Sequence, residues 1–348
     1  MKSDLVRAIV KEIELSKDYL NGEVLETIYF GGGTPSLLDA DEIKSILDAI
    51  YRIHPNINLQ ELTLEANPDD LTTEKVSELS SLRPYGLNRL SIGVQSFHEA
   101  DLIYMNRAHS ASEALDAIKR VQDGGFDNVT IDLIYGTPTM SDEMWMRNIQ
   151  SAFALMVPHI SSYALTVEPK TYLDKYIKTG KSQPVDEVQT VRQFDILMSQ
   201  MAEHGYDQYE ISNYAKPSHY AIHNTNYWRG KKYLGLGPSA HSYNGESRSW
   251  NVANNLKYIK SINESLVPAE VENLTQVQQA NEYIMTSLRT MWGMDMNKFK
   301  IENLKFKMLE SLKTIDTTFY ILDGEVLKLT QKGKHYADRI AAELFIEE

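Results

Sequence analysis

TIYFGGGTPSLL, Thr27 to Leu38, decides how this chain is read. Its first half is a β-branched and aromatic run. Its second half is a triple glycine closed by Thr34-Pro35, after which a helical pattern begins. A strand that empties into a glycine turn and then a helix is half of a βαβ unit. GLNRLSIGVQSF (Gly86 to Phe97) and VTIDLIYGTP (Val129 to Pro138) repeat the layout. Further strands are expected from Glu61 to Ala66 and from Ile160 to Leu165, with helices between them, one capped by Thr72. This alternation predicts right-handed crossovers and a parallel sheet whose ligand-facing polar residues sit at the carboxyl ends of the strands.

Beyond Glu168 the pattern changes. One long helix is expected from Asp186 to His204, and a stretch dense in tyrosine and tryptophan spans residues 206–258. FYILDGEVLKLT, Phe319 to Thr330, reads as a hairpin around Asp323-Gly324, between helical segments. The organisation expected is a barrel core over 1–170, a barrel-completing aromatic-rich region over 171–270, and a winged-helix-like domain over 271–348.

The 348 residues carry a formal net charge of −13, so a duplex-binding surface is not expected and nucleic acid is excluded as a main partner. No apolar run reaches the length of a membrane span, and the charged amphipathic N-terminus has no signal-peptide core. A cytoplasmic location is the expectation. There is no cysteine, which removes disulfides and thiolate metal sites.

Each motif has a bland reading beside its functional one. Gly31-Gly32-Gly33 lets backbone groups approach a ligand closely, but a bare triple glycine is more often a tight turn. Glu65, Gln95 and Asp132 fall near the carboxyl ends of three successive strands, where polar side chains face the ligand; any one of them is equally a loop cap. Arg107, in MNRAH, suits bidentate capture of a carboxylate, or a surface ion pair. His219 and His223 have the i,i+4 spacing of paired metal ligands, but Pro217 and Asn224 argue against a helix there, so zinc ranks below a structural role. The tyrosine-rich stretch offers flat faces to a planar ligand, or forms a core with wet edges.

Taken in order, IYFGGGTPSLL, LEANPDDLT, GLNRLSIGVQSF, MNRAH, IDLIYGTP, SSYALTVEP and HNTNYWRGKKYLGLGPSAHSY resemble the radical S-adenosylmethionine family of oxygen-independent coproporphyrinogen III oxidases and their haem-chaperone relatives. The likeness covers essentially the whole chain. His223-Asn224-Thr225-Asn226-Tyr227-Trp228 resembles the HNxxYW signature of the haem-chaperone, HemW-type branch. The resemblance implies a partial (β/α)6, TIM-like barrel that lacks its first strand, followed by a mainly helical C-terminal domain with a winged-helix-like hairpin. It implies S-adenosylmethionine as cofactor, with Gly32, Gly33 and Thr34 along its methionine part and Glu65 at its ribose or amino end. Gln95, Arg107 and Asp132 would complete the polar shell, and Ala164 would lie on the adenine side. His223, Asn224, Tyr227, Trp228 and His241 are the candidates for haem, with Gly235 and Gly237 allowing its close approach.

The family also carries a [4Fe–4S] cluster on a CxxxCxxC loop, placed upstream of the helix that here begins at Met1. This chain is therefore read as an N-terminally shortened member, inactive in reductive cleavage as it stands. The function expected is a haem chaperone that binds haem or a porphyrin as cargo and hands it to an acceptor protein, membrane-associated acceptors included. The alternatives are an oxygen-independent coproporphyrinogen III oxidase and a cluster-free binding derivative.

Overall fold

The structure, a computed structural model, describes residues 1–347. The first half runs α1 (Lys2–Leu15), β1 (Leu25–Phe30), α2 (Ala40–Ile53), β2 (Ile57–Ala66), α3 (Thr73–Ser80), β3 (Arg89–Gln95), α4 (Glu99–Tyr104), α5 (Ala111–Asp123), β4 (Val129–Tyr135), α6 (Asp142–Ala154) and β5 (His159–Ala164). The second half adds α7 (Tyr172–Lys178), α8 (Glu187–Glu203), β6 (Asp207–Glu210), β7 (Asn213–Ala215), α9 (Ile222–Trp228), β8 (His241–Tyr243), β9 (Ser247–Asn251) and α10 (Asn255–Asn263). It ends with β10 (Ala269–Asn273), α11 (Gln276–Leu288), β11 (Met294–Asp295), α12 (Glu302–Leu312), β12 (Tyr320–Asp323), β13 (Val326–Leu329), α13 (Gln331–Lys334) and α14 (Ala337–Glu343).

A seven-stranded sheet has the order β1-β2-β3-β4-β5-β7-β6. Strands β2 to β5 pair in parallel and curl into the expected half-barrel, while β7 and β6 complete the sheet in antiparallel fashion. Strand periodicity explains the two faces. Leu62, Leu64, Leu90, Ile92, Val129, Ile131 and Leu133 alternate along β2, β3 and β4 and are all buried. The residues between them are polar: Thr63, Glu65, Arg89, Ser91, Thr130 and Asp132. In a barrel of this kind the crossover helices cover the outside, so the polar set lines the inner face.

The chain divides into two compact units that interleave in sequence. One comprises Ile28–Asp39 and Glu61–Ala221; the other comprises Met1–Thr27, Ala40–Gln60 and Ile222–Glu348. Pattern reading expects consecutive segments at 1–170, 171–270 and 271–348. Within the second unit α1 packs on α2 and on α10, a partner more than 200 residues away in sequence. The second unit also holds two small sheets. One, β10-β9-β8, arises within and just beyond the tyrosine-rich stretch. The other, β11-β13-β12, is the wing, with Gly324 at φ +61 in its turn. The wing is followed by two short helices, α13 and α14.

Glu12 of α1 organises this second unit. It is only 1% exposed, yet it meets no cation; instead its carboxylate accepts hydrogen bonds from the Gly237 backbone N–H (2.7 Å), Asn251 Nδ2 (2.6 Å) and Tyr258 Oη (2.6 Å). Burial pushes its pKa up, and the three donors act in the opposite direction. Around it Ala8, Tyr258 and Ile262 form a buried cluster with Leu5, Ile9, Val252 and Ile259 against it. Glu12→Ala removes the acceptor of the Gly237 N–H and the Tyr258 hydroxyl and one of the two acceptors of Asn251 Nδ2, which also donates to the Gly237 carbonyl. The expected loss is about 3 kcal/mol or more, read as a lower urea midpoint. A midpoint within error of wild type would refute this role.

Candidate functional site

The first unit carries a polar cluster at the carboxyl ends of β1 to β4. Gly31 follows β1 where no side chain fits: a Cβ there would lie 2.4 Å from the Tyr29 ring and 3.1 Å from Glu65 Oε1. Gly32 and Gly33 then take φ values of +71 and +70, the left-handed region that glycine enters without strain. This turn delivers the Gly32 N–H to Glu65 Oε2 at 3.1 Å, while Tyr29 Oη donates to Glu65 Oε1 at 2.6 Å. Both carboxylate oxygens of Glu65 are thus already oriented by the glycine loop and its strand. Thr34 stands at the first position before the short 3-10 turn that follows, without a side-chain capping bond.

A second group converges over Gly93 of β3. Arg107 Nη2 donates to Asn67 Oδ1 at 3.1 Å and lies 3.4 Å from the Gly93 carbonyl. A Cβ on Gly93 would meet Gln95 Nε2 at 2.9 Å and Arg107 Nη2 at 3.3 Å, so glycine leaves the space that both side chains use. Gln95 reaches this place through an irregularity. The β3–β4 register shifts between Ile92 and Gln95, and Gln95 sits at φ +67, which a non-glycine residue adopts only when its surroundings hold it there. Tyr29, Asn67 and Gly93 were not singled out from sequence. The strand period was the available signal, since Gly93 shares the face of Gln95, and Asn67 follows Glu65 by two.

Asp132 lies opposite Ser161 of β5 in the parallel register, and the Ser161 hydroxyl donates to Asn213 Oδ1 at 3.0 Å. Its pKa is raised to about 7, first by burial and then by the nearby Glu65 carboxylate, against the pull of Ser161, Arg89 and Arg107. The site therefore pairs an oriented carboxylate, a guanidinium and a carboxyl that holds its proton near neutrality. Ala164 ends β5 beside Tyr135 and is part-exposed.

The second unit holds the HNxxYW residues. Helix α9 does form despite Pro217 and Asn224, but it begins at Ile222, beyond His219. The two histidines thus do not share a helix face, and among the described residues no cluster of His, Asp and Glu suits a metal ion. His223 Nδ1 lies 2.9 Å from Thr27 Oγ1. Asn226 and Lys231 both bind Glu26. Tyr227 is 44% exposed and packs edge-on against Trp228 at 5.2 Å between ring centroids. Trp228 is covered by the Arg289 guanidinium, and Arg229 lies over Trp292. His241, on β8, is exposed beside Trp250.

The glycines of this region do something other than admit a planar ligand. A Cβ on Gly235 would lie 2.1 Å from the His241 carbonyl oxygen, and the Gly237 N–H is committed to Glu12. They let the 233–243 loop close on itself. Tyr233 and Tyr243 exchange backbone hydrogen bonds at 2.9 Å each, and Ser242 Oγ accepts from the Gly235 N–H.

The raised pKa of Asp132 has a measurable consequence. Its folded-state value lies above the ordinary 3.8, so the native state holds an extra proton between there and about 7. Stability falls as pH rises through that window. Asp132→Asn cannot ionise and should lose this fall. Melting temperatures at about pH 5 and about pH 8 check it, the expected outcome being a smaller drop in the variant. Equal drops in both proteins would sink the assignment.

Comparison with known proteins completes the picture. Residues 2–152 match the Radical SAM superfamily. Heme chaperone HemW of Bacillus subtilis (strain 168) is 36% identical over 277 residues, covering 79% of this chain and 72% of the relative. Heme chaperone HemW of Lactococcus lactis subsp. lactis (strain IL1403) is 31% identical over 331 residues, covering 94% and 86%. The solved structure of coproporphyrinogen III oxidase (HemN) from Escherichia coli superposes with a TM-score of 0.81 over 99% of this chain and 83% of that one; at 20% identity this is a likeness of fold. With the half-barrel, the glycine turn after β1 and identities above 30% across most of both sequences, the chain belongs to the radical SAM superfamily, in the family of the HemW heme chaperones.

Proposed function

We propose that this protein is a cytoplasmic haem chaperone that binds haem and delivers it to an acceptor protein. The observation that carries the reading is the His223–Trp228 signature, fixed on α9 by Thr27, Glu26 and Arg289, in a chain that resembles named heme chaperones over most of its length. Exposed Tyr227 and His241 supply an aromatic face and an imidazole in the same unit. With no thiolate available, the axial ligand is sought among the neutral donors, and the exposed His241 supplies one. Among the described residues no helix is long and apolar enough to cross a membrane, which agrees with such a carrier.

The cluster in the first unit is proposed to take S-adenosylmethionine. Its donor set fits: the carboxylates of Glu65 and Asp132 suit the amino group and ribose hydroxyls, and Arg107 suits the carboxylate. Gly32, Gly33 and Thr34 would run beside the methionine part, Gln95 would complete the polar wall, and Ala164 would border the adenine. A [4Fe–4S] cluster does not fit these 348 residues, which offer no cysteine. Cofactor capture here would rest on the polar shell alone.

Two measurements test the reading. Haem titrated into the protein should give a saturable Soret band, and His241→Ala or His223→Ala should shift or weaken it. An unchanged spectrum and affinity in both variants and in their double would place the ligand elsewhere. Calorimetry with S-adenosylmethionine should show weak binding that Arg107→Ala reduces about tenfold or more, as expected for a lost charge-assisted contact. An identical isotherm for that variant would remove Arg107 from the site.

A further inference from the structure

We propose that α7 and the turn leading into it form a docking face for the flat ring and carboxylate side arms of a tetrapyrrole, at the carboxyl end of β5. The inference rests on the haem-binding reading above and names a docking face within the unit that carries the half-barrel. None of the seven residues of α7 is buried. A helix this short is not stable in isolation and ordinarily survives by packing an apolar face. Here the capping is local: Thr171 accepts from the Asp174 N–H, and Asp174 accepts from the Lys170 N–H and Lys178 Nζ. The large side chains point outward, with Tyr172 78% exposed and Tyr176 44% exposed. Their rings stand 6.2 Å apart at 75°, an edge-to-face pair open to solvent.

Charge singles out the same segment. Residues 169–183 carry four lysines against one carboxylate, Asp174, in a chain of net charge −13. Asp174 is taken by Lys178. Lys181 Nζ lies 5.8 Å over the Tyr176 ring. Lys170 and Lys175 line an open cleft of about 410 Å³ together with Tyr172, and among the described residues neither ammonium has a carboxylate at ion-pair distance. Aromatic faces interleaved with uncommitted ammonium groups suit a planar apolar molecule with carboxylate arms. The overall acidity of the chain disfavours the other obvious basic-aromatic target, an anionic bilayer.

Position connects this face to the candidate site of the same unit. The segment leaves β5 at Ala164, just after Tyr163, which is 44% exposed and close enough to feel the Asp132 carboxylate. Its far end is tied down where the Gln183 carbonyl accepts from Tyr104 Oη at 2.9 Å, three residues before Arg107. The segment from 165 to 183 therefore starts at β5, next to the strand that carries Asp132, and is tied at its far end to the helix that precedes Arg107.

The test compares three proteins by haem titration: wild type, Tyr172→Ala/Tyr176→Ala, and Lys170→Glu/Lys175→Glu/Lys181→Glu. These side chains are largely exposed, so circular dichroism and melting temperature should not change. The tyrosine pair should raise Kd about tenfold, the worth of two ring contacts. The lysine triple should raise it about tenfold at low salt, with the difference fading as salt is added. It should leave binding of haem dimethyl ester, whose carboxylates are blocked, unchanged. If wild type binds haem and both variants match it, α7 is not the face, and the haem reading stands without it. No saturable binding in wild type would overturn both. Loss of binding to phosphatidylserine vesicles in the lysine triple, with haem affinity intact, would reassign the face to a membrane and overturn the inference.

Discussion

The buried guanidinium of Arg89 is the interaction on which the inner face of the half-barrel depends. It is 2% exposed, sits on β3 between β2 and β4, and donates to Thr63 and Thr130 across both strand pairs. Its Nε lies 4.0 Å from Glu61, itself buried. An unpaired charge in such a place would cost several kcal/mol, so the strands that bring Glu61, Thr63 and Thr130 to it must hold their register. A slip of one residue would turn Arg89 toward the helices and the leucines toward the polar interior. The same charge opposes the rise in the pKa of Asp132 and disfavours protonation of buried His159. One cation thus sets both the alignment of the sheet and the electrostatics of the face on which the candidate site is built.

Toward the carboxyl ends the constraint passes from charge to backbone. Gly31 is there because Tyr29 and Glu65 occupy the space a side chain would need, and Gly93 because Gln95 and Arg107 do. Gln95 accepts a left-handed conformation to reach its place. Strain and close approach are concentrated at this end of the sheet, where backbone irregularity commonly re-aims functional side chains. A polar cluster held this tightly needs little rearrangement to receive a ligand, which is the physical content of preorganisation.

The second unit solves a different problem. Its signature residues lie on a helix of seven residues, too short to hold itself, and are fixed by polar and cation–π contacts with Thr27, Glu26 and Arg289. Its loop from Tyr233 to Tyr243 closes on itself and is anchored through Gly237 to Glu12, in the first helix of the chain. Family membership and the absence of cysteine sit side by side. Glu65, Gln95, Arg107 and Asp132, the residues proposed to receive S-adenosylmethionine, belong to one unit, while cysteines that would bind iron and sulfide are not among these 348 residues.

By itself the sequence determined the parallel strand–helix succession, the glycine turn after β1, the Thr72 cap and the hairpin at Asp323-Gly324. These are local: period, turn chemistry and capping act within a few residues, so they can be read without a partner in view. The same locality placed Glu65 and Gln95 at strand ends, while Asp132 stands midway along β4. Tertiary structure alone decided the rest. Glu12 looks like any charged residue of an amphipathic helix until Gly237, Asn251 and Tyr258 arrive from more than 220 residues away. Gly235 reads as an opening for a ligand until the His241 carbonyl fills the space. Helix α9 forms against its local signals because tertiary contacts outweigh weak propensities. The strands β8 to β10 escape a period-based reading because they are short and pair with one another rather than with the main sheet. Long-range hydrogen bonds and close backbone contacts leave no mark in local sequence, and they are what set the geometry of the second unit.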